Sequence, residues 1–341
     1  MKKVLVGMSG GVDSSVCAIL LKEQGYKVCG ATMTLYKNST LDAEKVCEKI
    51  GIPHTVFDFS KAFEKTVIAE FVNAYISGKT PNPCVTCNKF IKFGAFAEEA
   101  KKEGFDYIAT GHYAKIIKSK EQYFLQKADD TEKDQSYFLY NLTQDILAYT
   151  LFPLAQISKQ KIREIAEKYS LPSAHKPDSQ DICFVPDKDY ISFIQEYTDK
   201  EIPRGNFIDT SGNIIGRHNG IIRYTIGQRN GLGTGFGKRK YVLSKNPLTN
   251  EVILGENEEL FEKKLMACDY NFISGKTPDK PIKVLAKIRY GKKQAPAQIF
   301  VENKFLFVEF DEPQRAAASG QSVVFYDFYD NKTLLGGGII L

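Results

Sequence analysis

Two cysteines at a chemically useful spacing stand in the stretch TPNPCVTCNKFIKF, residues 80–93. Cys84 and Cys87 lie three residues apart, although the whole chain of 341 residues holds only seven cysteines. Thiols at this spacing can clamp a metal ion, form a redox disulfide, or provide one nucleophile beside an incidental neighbour. The spacing by itself leaves these three chemistries open.

A third cysteine stands in a polar setting. Cys183 belongs to HKPDSQDICFVPDKDYISFI, residues 175–194, and it precedes a segment with helical periodicity. Helix N-termini and polar exposure lower the pKa of a thiol and favour its reactivity. The sequence therefore predicts that Cys183 is a reactive thiol.

A glycine-rich turn near the start of the chain predicts an anion site. The stretch GMSGGVDSS, residues 7–15, lies between a predicted strand and a predicted helix, where backbone N–H groups and the helix dipole attract phosphate. Gly10 and Gly11 allow a ligand to approach the backbone closely, and Ser9 and Ser14 add hydroxyl donors. The stretch lacks both the lysine of a Walker A loop and the G-x-G-x-x-G glycine spacing.

The apolar periodicity of the chain predicts the scaffold that positions these residues. In the first part, short apolar strands alternate with helices, which is typical of an α/β fold with a doubly wound parallel sheet. Ligands of such sheets bind at the carboxyl ends of the strands, where the strand order reverses. Glycines and short alternating strands then become frequent, which predicts a small basic linking domain followed by an all-β barrel. We place these domains at residues 1–200, 201–258 and 259–341.

The positive charge of the chain is concentrated in its second half. Residues 1–197 carry 25 Lys and Arg against 25 Asp and Glu, whereas residues 198–341 carry 21 against 16 and hold the whole net charge of +5. Within them, residues 198–250 include nine basic and three acidic side chains. Such a patch predicts a polyanionic partner, although a lysine-rich solvated surface gives the same charge.

The sequence also indicates the cellular compartment of the protein. The amino-terminal apolar run is too short for a signal peptide, and no later stretch is long and apolar enough to span a bilayer. We therefore expect a cytoplasmic protein that contacts no membrane and keeps its thiols reduced. No oligomerisation signal is present, so we expect a monomer.

Several stretches together resemble one enzyme family. The order S-G-G-x-D-S is similar to the pyrophosphate loop of the N-type ATP pyrophosphatases, which cleave ATP between the α- and β-phosphates. The bacterial tRNA-specific 2-thiouridylases share with this chain, in the same order, blocks that resemble SGGVDSS, NPCVTCNKFIKF, ATGHYA, KDQSYFL, KPDSQDICFVP, YTIGQRNGLG, KIRYG and GQSVVFYD.

This resemblance implies an ATP-pyrophosphatase catalytic domain that thiolates tRNA. In that family ATP, with Mg²⁺, adenylylates the carbon-2 oxygen of the wobble uridine of Lys, Glu and Gln tRNAs. Persulfide sulfur then replaces the oxygen, which gives 2-thiouridine, AMP and pyrophosphate. The implied partners are the anticodon arm of tRNA, held by the basic segment 204–240, and a cysteine desulfurase or sulfur-relay protein.

The resemblance also assigns roles to the thiols. It implies that Cys87 is the catalytic nucleophile and that Cys183 carries the persulfide, so that a Cys87–Cys183 disulfide forms and must be reduced. Cys84 stands where some family members have an aspartate. Either the persulfide route operates, which we favour, or Cys84, Cys87 and Cys183 hold three irons of a [4Fe–4S] cluster. Cys84 can also simply line the pocket.

Two sets of contact residues follow from the same resemblance, with Asp13 as a candidate Mg²⁺ ligand. The residues expected to contact ATP are Gly7, Met8, Ser9, Gly10, Gly11, Val12, Asp13, Ser14, Met33 and Gly111. The residues expected to contact tRNA are Asn82, Pro83, Cys84, His112, Lys133, Asp134, Gln135, Arg289, Tyr290 and Gln321.

Other functions share parts of this pattern. Another adenylylating ATP pyrophosphatase, such as a 4-thiouridine or 2-thiocytidine synthase or a lysidine synthetase, would carry the same loop. The block around Cys183 and the all-β carboxyl-terminal domain favour the 2-thiouridylases over these. A non-enzymatic RNA-binding protein that uses ATP as a switch is the alternative outside enzymes, and the reactive-looking cysteines argue against it.

Overall fold

The computed structural model describes residues 1–37, 39–174, 181–199, 201–233 and 237–341. The start of the KPDSQDICFVP block and part of the basic segment 204–240 lie outside the described residues. No helix among the described residues is long and apolar enough to cross a membrane.

A five-stranded parallel sheet forms the centre of the first domain, as the alternating pattern predicts. Its strands are β1 Lys3–Gly7, β2 Lys27–Thr34, β3 His54–Asp58, β4 Tyr107–Ala109 and β7 Thr150–Leu151. They follow the order β3-β2-β1-β4-β7, and every neighbouring pair is parallel. The strand order reverses between β1 and β4, so the carboxyl ends of these two strands border the expected ligand crevice.

Helices cover both faces of this sheet. Successive side chains of β1 point to opposite sides, and because they are apolar on both sides, each face has to be buried. Leu5 packs into one core with α3 to α7 and α9, whereas Val4 and Val6 pack into another with α1, α2 and α8. Two π-helical segments, Glu64–Ile68 and Asn88–Ala95, connect α3 to α4 and α5 to α6. The α-helices are α1 Val12–Glu23, α2 Leu41–Ile50, α3 Ser60–Phe63, α4 Ala69–Ile76, α5 Pro83–Cys87, α6 Phe96–Lys102, α7 Gln144–Tyr149, α8 Lys159–Lys168 and α9 Tyr190–Thr198.

The middle of the chain forms a small four-stranded sheet. Its strands are β8 Gly205–Ile208, β9 Ile214–His218, β10 Tyr241–Asn246 and β11 Glu251–Gly255, in the order β10-β11-β8-β9. Phe207, Val242, Val252 and Leu254 are fully buried and form its core.

The carboxyl-terminal part is a closed antiparallel barrel, as predicted. Its strands are β12 Phe261–Phe272, β13 Ile282–Lys287, β14 Ala295–Glu302, β15 Phe305–Arg315, β16 Ser322–Asp327 and β17 Thr333–Ile340. The first of these six strands pairs with both β15 and β17, which closes the sheet on itself.

A hairpin from the first domain extends the sheet of this barrel. It consists of β5 Ala114–Ser119 and β6 Gln122–Lys127, and Thr333 and Leu334 of β17 pair with Gln126 and Leu125. The sequence pattern did not predict this pairing, because the two strands are about two hundred residues apart and nothing local encodes their register. The first domain and the barrel are therefore joined by backbone hydrogen bonds.

Candidate active site

The glycine-rich turn forms a tight loop between β1 and α1. Gly10 has a φ of +73°, and a Cβ there would lie 2.6 Å from the Cβ of Asp42 at the start of α2. The Ser9 and Ser14 hydroxyls share a hydrogen bond of 3.2 Å, and the Ser14 hydroxyl lies 3.1 Å from the Gly11 carbonyl that accepts from it. The loop is thus fixed by its own serines, with the N-terminus of α1 directly behind it.

Asp13, the acidic residue of the loop, is already paired. The Lys159 ammonium donates to both carboxylate oxygens, at 2.7 and 2.9 Å, and the Tyr113 hydroxyl donates to one of them at 2.7 Å. Sequence reasoning missed both partners. The sequence did hold a signal for Lys159, which follows the N-cap Ser158 at the start of α8. A lysine in the first turn of a helix is repelled by the helix dipole, so its presence there indicates a nearby anion.

Met33 and Gly111 flank the loop from the neighbouring strands. The Cε of Met33 lies 3.2 Å from the position that a Cβ on Gly7 would take. A Cβ on Gly111 would lie 2.8 Å from the carbonyl carbon of Asp13 and from the nitrogen of Ser14. We expected this glycine to admit a nucleotide; in the structure its close neighbour is the first turn of α1.

Two apolar members of the expected ATP set have buried side chains. Met8 and Val12 are 2% and 5% exposed, and their side chains pack in the core shared with α2 and α8. Any contact that they make with a nucleotide therefore uses the main chain.

The NPCVTC stretch forms a short helix that carries two of the three thiols. Asn82 is the N-cap of α5, and Pro83 is its first residue, where the missing N–H costs no hydrogen bond. Cys84 and Cys87 lie one turn apart and therefore on one side of the helix. Cys84 is exposed, whereas Cys87 is 7% exposed.

Cys183 and Lys92 complete this thiol site. Burial raises the pKa of Cys87 to about 11, the Lys92 ammonium opposes this rise, and the Cys183 and Cys84 thiols add to it. Burial also raises the pKa of Cys183, as does Cys84, and Lys92 again opposes the rise. The expected lowering of the Cys183 pKa is therefore wrong. Cys183 keeps an exposed face, but it lies in a turn ahead of the 3₁₀ helix Pro186–Lys188, and the surrounding protein outweighs any helix dipole.

The three thiols do not form a metal site in this arrangement. Within the ranges that the structure describes, no group of three or more His, Cys, Asp or Glu side chains is placed to hold one metal ion. Cys84, Cys87 and Cys183 are all free thiols. The [4Fe–4S] alternative, in which each thiol would bind a different iron, stays a prediction.

The segment after β4 joins the glycine-rich loop of residues 7–15, which we name the phosphate loop, to α5, which we name the thiol helix. Gly111 touches the loop, and the His112 ring lies 5.7 Å from that of Phe93 in the π-helical segment that continues α5. His112 is 8% exposed, and one ring nitrogen shares a 2.8 Å hydrogen bond with Thr110. Burial, together with the Lys92 ammonium, holds the pKa of His112 well below its usual range. The ring is therefore neutral, and its contact with tRNA stays a prediction.

In the KDQ stretch, the side chains of Asp134 and Gln135 accept hydrogen bonds from other residues of the first domain. Asp134 is 8% exposed and accepts hydrogen bonds from the backbone N–H and the hydroxyl of Ser136. The Gln135 side chain accepts from the backbone N–H of Tyr113, while Lys133 is partly exposed. Their expected tRNA contacts stay predictions; Lys133 and Gln135 are both partly exposed, whereas Asp134 is buried.

Arg289 and Tyr290 follow β13 on the barrel. One Arg289 nitrogen donates to the carbonyls of Ile226 and Ala316, at 3.0 and 2.9 Å, and so ties the middle domain to the barrel. Tyr290 is 39% exposed, and its ring centroid lies 4.5 Å from that of Phe138. The tyrosine ring is accessible for stacking on a base, whereas the guanidinium is half-buried in a domain junction.

Gln321 lies against the chain that leads into α5. Its Nε2 donates to the carbonyls of Thr80 and Pro81, at 2.8 and 3.4 Å. The structure thus brings Gln321 close to Asn82 and Pro83, although these residues are more than two hundred positions apart in the sequence.

Two further residues beside the thiols were missed, Asn88 and Lys92. Asn88 is 3% exposed and donates from Nδ2 to the Phe138 carbonyl at 3.1 Å, while its Oδ1 has no hydrogen-bond partner among the described residues. Both stand in NKFIKF directly after Cys87, so their closeness to this cysteine in the sequence could have indicated that they lie beside the thiols.

Three family models match the chain in succession. The tRNA methyl transferase HUP domain matches residues 2–187, the tRNA methyl transferase PRC-barrel domain matches residues 191–256, and the Aminomethyltransferase beta-barrel domain matches residues 262–340. A solved 4-thiouridine synthetase–RNA complex with bound ATP is 14% identical and covers 57% of this chain and 50% of its own, and its TM-score of 0.37 is too low to support a conclusion.

Two relatives are similar over nearly their full length. The tRNA-specific 2-thiouridylase MnmA of Clostridioides difficile (strain 630) is 49% identical, and the match covers 99% of this chain and 98% of the relative. The tRNA-specific 2-thiouridylase MnmA 1 of Clostridium botulinum (strain Loch Maree / Type A3) is 50% identical, with 99% of each covered. At this identity and coverage, the chain belongs to the tRNA-specific 2-thiouridylase family.

Proposed function

We infer that this protein is a tRNA-uridine 2-sulfurtransferase, which uses ATP to replace the carbon-2 oxygen of a tRNA uridine by sulfur. The observation that carries this inference is the position of Gly111 and His112, which bring the phosphate loop next to the thiol helix. An activated oxygen and an attacking sulfur have to meet at one carbon atom, so such a reaction requires a phosphate site and a thiol site side by side.

The proposed first step activates the uridine. Its carbon-2 oxygen attacks the α-phosphorus of ATP, the bond to the bridging oxygen breaks, and pyrophosphate leaves with the electron pair. The loop N–H groups and the serine hydroxyls hold the phosphates. Mg²⁺ bound with ATP neutralises phosphate charge, and Asp13 is the carboxylate that would hold it, in competition with Lys159.

The proposed second step transfers sulfur. The Cys87 thiolate attacks the inner sulfur of a Cys183 persulfide, the S–S bond breaks, and the terminal sulfur leaves as hydrosulfide. Hydrosulfide attacks carbon 2 of the uridine, the carbon–oxygen bond breaks, and AMP leaves. A Cys87–Cys183 disulfide remains, and an external thiol has to supply two electrons to reduce it.

We propose that the tRNA lies across the middle domain and the barrel. The basic segment 204–240 would hold the anticodon arm, with the wobble uridine of Lys, Glu and Gln tRNAs beside Asn82, Pro83 and Cys84. A cysteine desulfurase or a sulfur-relay protein would load Cys183, whose exposed face is accessible to such a donor. We further propose that the enzyme acts as a monomer in the cytoplasm, where its RNA substrate is found.

The reaction is tested by mass spectrometry of nucleosides from unmodified tRNA incubated with the protein, ATP and a sulfur donor. We expect 2-thiouridine together with an equal amount of AMP. Formation of 4-thiouridine, or turnover of ATP without any thiolated nucleoside, would contradict the proposed function.

Two serine variants separate the roles of the thiols. Cys183→Ser should load no persulfide and give no 2-thiouridine, because a hydroxyl cannot carry sulfane sulfur. Cys87→Ser should load Cys183 but fail to complete the transfer. Protein mass spectrometry after loading shows the persulfide, and Cys268→Ser serves as the control. A Cys87→Ser variant with the wild-type yield would remove Cys87 from the mechanism.

Cys84→Asp distinguishes the persulfide route from the cluster route. The persulfide route needs no iron, so the variant should keep substantial activity and the wild type should work with an iron chelator present. A cluster would lose a soft thiolate ligand in this variant, and iron and activity would fall together. A brown anaerobic preparation whose activity follows its iron content would overturn the persulfide assignment.

A further inference from the structure

The barrel holds the chain that leads into the thiol helix. The Thr80 N–H donates to the Ser319 carbonyl at 2.8 Å, and the Thr80 carbonyl accepts from Nε2 of Gln321 at 2.8 Å. Between these two contacts stands Gly320, with a φ of +88°, where a Cβ would lie 3.0 Å from the Thr80 nitrogen. Both main-chain polar groups of Thr80 are therefore held by the barrel, two residues before the N-cap Asn82.

The barrel clamp, as we name residues 319–321, is itself rigidly placed. The Gly320 N–H donates to the Ile340 carbonyl at 2.9 Å, and the Ile340 N–H donates to the Gln321 carbonyl at 2.8 Å. The Gln321 N–H donates to the Ala318 carbonyl at 3.0 Å. With its backbone fixed in the barrel, the Gln321 side chain can set the position of the loop that it contacts.

The Gln321 amide has one polar atom left for another ligand. Its Nε2 donates to the Thr80 and Pro81 carbonyls, whereas its Oε1 has no hydrogen-bond partner among the residues that the structure describes. A primary amide offers two donors and an acceptor, so the free oxygen can accept from a hydroxyl or amino group.

We propose that Gln321 is a positioning residue that couples RNA docking on the barrel to the placement of Cys84 and Cys87. Its Nε2 fixes the loop ahead of α5, and its Oε1 accepts a hydrogen bond from an RNA donor such as a 2′-hydroxyl group. A single side chain then bonds to the RNA at one end and to the thiol-bearing chain at the other. The coupling rests on the proposed function, because it requires RNA as the ligand.

The first test needs neither RNA nor ATP. In Gln321→Met the side chain keeps its length but loses both donors, so the chain before α5 should loosen and Cys87 should react about fivefold faster with iodoacetamide, relative to the wild type. Gln314→Met is the matched control, since the Gln314 amide donates at 2.9 Å to Glu312 within the barrel. Mass spectrometry of the Cys87 peptide gives the rates, and thermal midpoints are compared for all proteins. An unchanged Cys87 rate in Gln321→Met would overturn the proposal.

The second test separates positioning from simple RNA affinity. At saturating tRNA, single-turnover thiolation by Gln321→Met should be about fivefold slower than in the wild type, while Gln314→Met should match it. Gly320→Ala, which pushes Thr80 away from the clamp, should slow the same step. A weaker tRNA affinity with a wild-type rate at saturation would make Gln321 an RNA contact only and overturn the proposal. If the wild type formed no thiolated nucleoside, the proposed function would fail, whereas the alkylation result would still stand.

Discussion

At the scale of single residues, the Cys87 thiol is held in its protonated form. Burial raises the pKa of Cys87 to about 11, and the Lys92 ammonium offsets only part of that rise. At neutral pH, well below this pKa, the group therefore carries its proton and is a poor nucleophile. The attack that we propose for Cys87 therefore requires that its thiol first lose this proton.

The first prediction tests this ionisation in the free enzyme. The thiolate fraction should grow as the pH rises towards 11, so alkylation of Cys87 should speed up about tenfold per pH unit between about pH 7 and 9. Lys92→Met removes the neighbouring cation, which should raise the pKa further and slow alkylation about threefold at any one pH in this range. Lys89→Met, one turn away on the same helix, is the control. A plateau near pH 8 would show that Cys87 is not held protonated.

The second prediction concerns the ion pair of the phosphate loop. Asp13→Asn keeps the size of the side chain but removes the charge that Lys159 neutralises, so release of pyrophosphate should fall about a hundredfold while tRNA binding persists. Asp106→Asn is the control, because Asp106 accepts from the Lys3 N–H at the opposite end of the sheet. Pyrophosphate release at the wild-type rate in Asp13→Asn would remove this carboxylate from the nucleotide site.

The residues that could be predicted from the sequence are those whose chemistry is encoded locally. The glycine-rich turn and the stretch around Cys87 are recognisable within about ten residues, since backbone freedom and thiol spacing are local properties. Lys159 could not be assigned in the same way, because it meets Asp13 across 146 positions. The pKa of Cys183 was mispredicted for a related reason: burial by distant segments outweighs the local polar sequence.

At the scale of elements, apolar periodicity predicted the parallel sheet and the barrel, but not each of their strands. It could not show the π-helical segments, because one extra residue in a turn barely alters a periodic pattern. The segment Asn88–Ala95 matters most, since it follows Cys87 directly and carries Lys92 beside the thiols and Phe93 against His112. A widened turn at this point is thus part of how the thiol site is shaped.

The third prediction concerns the contact between two elements. Gly111→Ala would place a Cβ 2.8 Å from the backbone of Asp13, so the first turn of α1 has to shift away from the end of β4. We expect a loss of about 1–3 kcal/mol in the free energy of unfolding and a clear loss of ATP turnover. Gly291→Ala is the control, because a Cβ there meets nothing within 4 Å. Denaturant unfolding measures the difference, and equal stability of the two variants would refute the close approach.

At the scale of the whole molecule, the first domain is joined directly to the barrel, and the barrel to the middle domain. The hairpin formed by β5 and β6 continues the sheet of the barrel, and Arg289 ties the barrel to the middle domain. On the proposed function, RNA docked on the barrel would therefore lie at a fixed distance from the first domain. Length and composition predicted separate domains, but these junctions depend on pairings over long sequence separations that no local pattern specifies.

The last prediction concerns how the whole molecule holds tRNA. Arg229 and Lys238 are exposed, and neither pairs with a carboxylate in the part of the chain that the structure describes, so both are available to phosphates. Binding that releases counterions weakens steeply with salt, and removal of one cation that neutralises a phosphate should reduce the slope of log affinity against log salt by about one. Arg229→Glu and Lys238→Glu should therefore each flatten the slope measured by filter binding. Lys49→Glu, an equal charge reversal on α2 and outside the basic segment, should leave it unchanged. If all three variants kept the wild-type slope, the basic segment would be a solvated surface and the anticodon arm would have to bind elsewhere.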